Sequence, residues 1–356
     1  MTLAAAALFA GSLAASDSPS LTVGGYVEAY YALHLERPSN DVIAHRDFDD
    51  RSDTFALSSA VLHADAKMGR AFARLALQYG TAARSYYAAE PNFRPVQEAY
   101  AGYTAPIGRG LRVDAGLFLS PLGLEGLAVK DEWNWSRSNV WTGLPTYHVG
   151  ARAAYPITDH DDLLVAVYNG WNQAIDANRE KSFTVSYTHE IGARARTGAM
   201  YFAGVERPSG APEGRAFRQL LDAYVAFGVG DRVDAKVYTD VGIEPNAFGL
   251  SGWAAGALYT RVRIMPWLFA AWRGDLFFEK VAEDRAGRAA PIFWPAPWVS
   301  SETLTLDARP HENVSVRLEY RHDLAASSIY FAGQVHGGAT NARTQDTMTL
   351  GATAWF

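Results

Sequence analysis

The chain contains no cysteine, which removes disulfides, thiol nucleophiles and thiolate metal sites together. Past its N-terminal segment it also lacks any run of about 18 apolar residues, so no helix of it spans a bilayer. A basic surplus is missing too: 32 Lys and Arg stand against 38 Asp and Glu, the reverse of a nucleic-acid binder's balance. Nucleic acid is therefore not an expected partner. No G-x-S-x-G, H-E-x-x-H or Walker sequence occurs, so the familiar hydrolase, zinc and phosphate motifs are absent. Charge of either sign is sparse, at 20% of residues, below the usual quarter.

What the chain has in quantity is glycine (31), tyrosine (18), phenylalanine (17) and tryptophan (10) among 356 residues. Mean hydropathy is slightly negative, at −0.11. The first residues, MTLAAAALFAGSLAA, read as an export signal over 1–14. Leu3 to Phe9 form an apolar core, and Ser12 and Ala14 are small residues where a signal peptidase cuts. The basic residue expected before that core is missing. The remainder, 15–356, reads as a single domain.

Period-2 alternation between turn residues gives sixteen candidate strands, from 21–34 to 346–356, most about 10–13 residues long. That is longer than ordinary globular strands and close to the length of a tilted bilayer-crossing strand. Short turns, such as Met68-Gly69 and Val229-Gly230, alternate with longer connections at 35–53, 81–93, 120–145, 171–180, 205–215, 242–250, 279–298 and 323–345. This asymmetry predicts an all-β transmembrane antiparallel barrel with short periplasmic turns, long outer loops and both termini in the periplasm. Val113, Val237 and Leu318 then face lipid, and their neighbours Arg112, Lys236 and Arg317 face inward. In the last strand, Met348, Leu350, Ala352, Ala354 and Phe356 share the lipid side. An open sheet edge cannot persist in hydrocarbon, so this strand must pair with the first. Its terminal aromatic then sits where an interface girdle belongs.

Three stretches carry a family likeness: GGYVEAYYALHLERPSN (24–40), GLFLSPLGLEGLAVKDEWNWSRSNVWTGLPTYHVGARAAYPIT (116–158) and YNGWNQAIDANREKS (168–182). With Lys130 to Ser138 and Asn169 to Asn172 as the recurring segments, the chain resembles the OmpL-like β-barrel porins of Gram-negative outer membranes. The likeness is strongest over the first half. It implies an outer-membrane barrel and passive transport, and Phe356 matches the C-terminal signal read by the barrel-assembly machinery.

The inferred lumen is lined by Glu28, Arg74, Glu98, Arg112, Asp114, Arg152, Arg194, Arg196, Asp234, Lys236, Arg261, Arg263, Arg273, Asp275, Arg317 and Glu319. Rings of such charges tune ion selectivity in a wide barrel, and cross-strand pairing is their alternative role. A slight basic excess leans toward anions. Loop 120–145 carries Lys130, Asp131, Glu132, Trp133, Trp135, Arg137 and Trp141, too many rings for a solvated loop, which predicts a constriction, with an outer cap or protomer contact as the alternative. Asp47, Asp49, Asp50 and Asp53 could gather a hard cation, but they lack the glycine turn and final Glu of an EF-hand loop. Asp159 to Asp162 read as a solvated hairpin tip, and His63 and His148 as wall hydrogen-bonders.

The reading is therefore a porin for small polar solutes or ions, in outer-membrane lipid, with no cofactor, metal or catalytic residue assigned and a homotrimer by analogy of fold. A plugged barrel serving as scaffold, adhesin or receptor is the second reading. A wall hydrolase, with His148 meeting Ser120 or Asp131, is a remote third.

Overall fold

In the computed structural model, which describes residues 18–287 and 291–356, sixteen antiparallel strands close into one barrel. They are β1 (Ser20–His34), β2 (Thr54–Met68), β3 (Ala71–Tyr79), β4 (Val96–Ala105), β5 (Leu111–Leu119), β6 (Tyr147–Pro156), β7 (Asp161–Tyr168) and β8 (Ser182–Ile191). The second half comprises β9 (Ala195–Val205), β10 (Phe217–Val229), β11 (Val233–Asn246), β12 (Gly249–Met265), β13 (Leu268–Lys280), β14 (Trp298–His311), β15 (Val314–Ala325) and β16 (Thr344–Trp355). The segment read as an export signal lies outside the described residues.

Each strand pairs with its sequence neighbours, and β1 pairs with β16 from Tyr26–Trp355 to His34–Thr347. Phe356 extends the seam: its N–H donates to Gly25 O at 3.1 Å, and Gly25 N–H donates back at 3.2 Å. The sheet has no free edge, which is the condition for lying in hydrocarbon. The outward positions are apolar, with Val113 44%, Val237 43% and Leu350 52% exposed. The facing inward residues Asp114, Lys236 and Arg317 are buried. Outward acidic, basic and imidazole groups are confined among the described strands to Asp161, His189, Lys280, Glu302, His311, His322 and Asp346, as the pairing register places them.

Two departures from the sequence pattern matter. The connection read at 242–250 shrinks to 247–248, because β11 and β12 stay paired through Asn246–Gly249. Alternation was lost there to Pro245 and two glycines, but backbone pairing continued. The wall is also uneven. Strands β3 to β8 have 8–10 residues, whereas β10 to β15 have 12–17. Connection 80–95 rises from the low wall and contains a helix, α1 (Thr81–Tyr86). The longest connection, 120–146, starts from the same low wall and folds into the lumen.

Candidate functional site

Loop 120–146 is a strap. It leaves β5, crosses the lumen, and is fastened at its middle to the inner face of β13–β16 and β1. Two single turns, Val129–Asp131 and Trp141–Gly143, shape it. Trp133, Trp135 and Trp141 are 5%, 3% and 7% exposed. Burying each such ring stabilises the strap by about 1.5–3 kcal/mol. Trp135 lies flat on the wall where β16 carries Gly351; a Cβ there would meet its ring at 2.2 Å. Glycine at 351 is a seat for tryptophan.

Backbone amides taken from water need partners, and charged wall residues supply them with strong bonds. Arg317 donates to Val129 O and Glu132 O, both at 2.6 Å. Arg273 donates to Ser136 O at 2.5 Å and Arg137 O at 3.1 Å, and Arg321 donates to Arg137 O. Carboxylates take the opposite pole. Glu28 accepts from Val129 N–H at 2.5 Å, Glu319 from Trp135 and Ser136 N–H at 2.5 and 2.9 Å, and Asp275 from Asn139 N–H at 3.1 Å. Within the strap, Arg137 donates to Gly126, Leu127 and Trp135 carbonyls, while Glu125 accepts from Ser138. Glu132 accepts from Gly126 N–H at 2.6 Å; burial lifts its carboxyl above the usual range, with Lys236 opposing the shift. Lys236 Nζ and the Arg261 guanidinium stand 4.4 and 4.8 Å from the Trp133 ring centre.

Neighbouring loops add to the filling. In loop 35–53, Ile43 and Phe48 are buried and Arg46 donates to Thr347 Oγ1 at 2.8 Å. Glu279 accepts from three successive amides, Ile292, Phe293 and Trp294, at 2.7–3.1 Å. Ile329 and Tyr330 come in from the last loop.

The residues read as lining the lumen fall into three groups. Glu28, Arg273, Asp275, Arg317 and Glu319 hold the strap, as described, and Lys236 stands beside Glu132 and Trp133. Asp114 and Arg152 form a buried pair at 2.7 Å. Arg74 with Glu98 (2.6 Å), Arg261 with Asp234 (2.7 Å), and Arg112, Arg196 and Arg263 sit toward the turn end, where the lumen opens. Arg194 is the exception. Read as the first residue of a strand, it lies instead in the β8–β9 turn, because β9 begins at Ala195, and it pairs with Asp231. Of the strap's own charges, Lys130 and Asp131 bond each other at 2.8 Å and stay partly exposed.

Ser120 and His148 do meet, Oγ to Nε2 at 3.2 Å, while His148 Nδ1 faces Gly170 O at 3.0 Å. Asp131 plays no part in that contact. His148 is wholly buried and stacked 3.9 Å from Tyr168, and its contact with the half-buried Ser120 fastens the root of the strap. The acidic run of loop 35–53 is dispersed: Asp49 pairs with Arg46, Asp50 with Arg51, and Asp53 with Tyr31. Among the described residues no group of three acidic or His side chains could hold a metal. Arg46 and Glu279 escaped the sequence reading. Glu279 sits at an inward position of β13 and alternation could have found it; Arg46 lies in a loop without periodicity.

A family model described as "Putative beta-barrel porin-2, OmpL-like" matches residues 20–356. No curated protein matches the chain. Among solved structures, the outer membrane channel DcaP of Acinetobacter baumannii superposes with a TM-score of 0.65 at 12% identity, covering 98% of this chain and 100% of that one. The trimer form of OmpT of Vibrio cholerae gives 0.65 at 8% identity, covering 96% and 100%. The anion-selective porin of Comamonas acidovorans gives 0.62 at 11%, covering 95% and 100%. At such identities the superpositions speak for the fold.

Proposed function

The chain belongs to the OmpL-like β-barrel porin family, and from that premise we propose that small polar solutes and ions diffuse passively through its barrel, with loop 120–146 as the constriction. The observation that supports this most directly is a closed sixteen-stranded barrel with an apolar outside and a charged inside, a form that conducts only through its lumen. The barrel lies in the outer membrane, and we place its termini and short turns on the periplasmic side. Acidic and basic groups are interleaved along the wall, which favours weak ion selectivity.

Single-channel recording in planar bilayers tests the reading. Removing residues 126–140 should raise conductance several-fold, since the strap is the main body in the lumen. Absence of current in both forms would defeat the porin reading. An unchanged current with loss of oligomers would make the loop a protomer contact, and a homotrimer is the assembly we propose.

For biogenesis we propose that the barrel-assembly machinery reads Phe356, which is 73% exposed at the end of the seam. Deleting it should lower the folded yield, judged by heat-modifiable migration on gels, more than Thr353→Ser does. Equal yields would refute the signal.

A further inference from the structure

The strap is rooted in β5 and β6 and fastened on β13–β1, so it divides the lumen into two lobes of unlike chemistry. Against β7–β12 the filling is apolar, with Met200, Phe202, Leu220 and Trp253 buried in one cluster with Leu122 and Leu144 of the strap. Against β1–β4 it is mixed: Glu28, Ser59, Gln78 and Gln97 stand among small apolar groups, Val61 and Ala76 on the wall and Ala82 and Leu127 above them. Between loop 35–53 and the strap lies a cavity of about 10 Å³, lined by Glu28, Ser58, Ser59, Asp47, Arg137 and Arg321 among others. That is room for about one water. The cavity reaches the loop-end surface at His45, which is exposed, and at Asp47 and Thr142, which are half-buried.

Below it sits a thin hydrogen-bonded layer. Gln97 donates to Tyr26 Oη at 3.0 Å and to Gln78 Oε1 at 3.2 Å, and Tyr86 donates to the same Gln78 oxygen. Beneath that layer water already enters from the turn end. Side-chain exposure climbs from 13% at Glu98 to 24% at Arg74 and 40% at Asp65. On this side one layer, of amides and phenols with Val61 and Ala76 beside them, separates the cavity from the turn-end water, whereas the other side is sealed by several rows of hydrocarbon.

We propose that permeation follows this off-centre lane along β1–β4, and that Gln78, Gln97, Tyr26 and Tyr86 are its gate. The lane rests on the porin reading and assigns it a route. Amides and hydroxyls exchange their bonds with water at small cost, so the layer can part for a small solute while uncovering little apolar surface beyond Val61 and Ala76. Above the gate Glu28 and Asp47 face Arg137 and Arg321, and below it Glu98 and Asp65 face Arg74. The lane therefore takes small polar solutes that are neutral or carry both charges, and ions of either sign.

The absence of native cysteine makes the test clean. Single variants Ser59→Cys and Gln97→Cys on the lane, and Ser186→Cys on β8 in the other lobe, are recorded in planar bilayers before and after a small charged methanethiosulfonate reagent. Each unmodified variant serves as its own control for folding. The lane requires loss of most of the current at positions 59 and 97 and none at 186. Block at 186 with no effect at 59 and 97 would overturn the route. Current seen only after removal of 126–140 would also overturn it, leaving the porin reading intact; no current even then would remove that reading itself.

Discussion

On one side of the strap the lumen is packed with Met200, Phe202, Leu220 and Trp253; on the other, with Ser59, Gln78, Gln97 and interleaved charges. Both sides use inward positions of regular strands, so alternation alone makes them equivalent. What separates them is how the strap lies. Its apolar legs rest against β7–β12, while its charged middle meets β13–β1 and sets Arg137 beside Leu127, Ala128 and Val129 toward β1–β4. The apolar lobe still holds polar atoms without hydrogen-bond partners among the described residues, including Tyr168 Oη, Thr184 Oγ1 and both carboxylate oxygens of Asp240. Asp222 and Asp240 face each other there in register, with Tyr238 Oη donating to Asp222 at 2.8 Å. Unmet polar demand is not confined to that lobe, since Tyr30 Oη and Tyr87 Oη on the β1–β4 side also lack hydrogen-bond partners among the described residues; the lobes differ in what fills them, not in how fully their polar atoms are satisfied.

The largest blow to this division should come from Arg317→Ala. The guanidinium is 1% exposed and holds Val129, Glu132 and Asn134 carbonyls while standing 3.5 Å from Asp307. Its removal leaves buried acceptors and a carboxylate unpaired, a loss of about 3–5 kcal/mol. The strap should detach from β15 and merge the lobes. Larger, noisier currents and faster proteolysis within 126–140 are expected; a variant that conducts and resists protease like the parent would show that Arg273 and Arg321 suffice.

A smaller contrast sets the lobes against each other directly. Leu220→Lys places an ammonium at a position that is fully buried among apolar neighbours, where desolvation is offset only by the buried Asp222 two residues along the strand. Ser59→Lys places it beside the polar cavity, near Glu28. The first should lower the denaturant midpoint of refolding far more than the second, by a difference of about 2–4 kcal/mol. Equal costs would mean that the lobes do not differ in polarity.

Much of the fold could be read from period-2 alternation, because hydrocarbon outside forces apolar residues onto one face of every strand. Val113, Val237 and Leu318 are outward for that reason. The interior obeys no such rule. Gly116 and Tyr238 look like water-facing positions in the sequence, yet Gly116 has φ +142° with Ala99 O only 2.2 Å from where a Cβ would stand, and Tyr238 is 1% exposed. Arg273 and Arg317 read as channel charges, and only the path of the loop turns them into its fasteners. Their partners are backbone groups some 140 to 190 residues distant in sequence, and no local pattern announces such contacts. The tryptophans of 133–141 were the legible clue that the loop is buried.

The finest test of the polar side is pH. Asp47 and Asp49 belong to loop 35–53, which roofs the cavity, and burial holds both carboxyls above their ordinary range. For Asp47, with the neighbouring Asp49 adding to the effect, the value is pushed up to about 7 from 3.8. A raised carboxyl is neutral while the loop is seated and ionises more readily once the loop lifts into water. Seating is thus at full strength below about pH 4, weakens as pH rises between the two values, and changes no further above about 7. The current through the lane should therefore grow from pH 5 to pH 7.5. Asp47 is half-buried and partly screened, so the change should be modest beside the mutational effects. Asp47→Asn should flatten the profile while leaving the current below about pH 4, where Asp47 is neutral in both positions of the loop, unaltered. A current that falls with rising pH would mean that ionised Asp47 draws the loop inward, toward Arg137 and Arg321, and that this roof closes when it is charged.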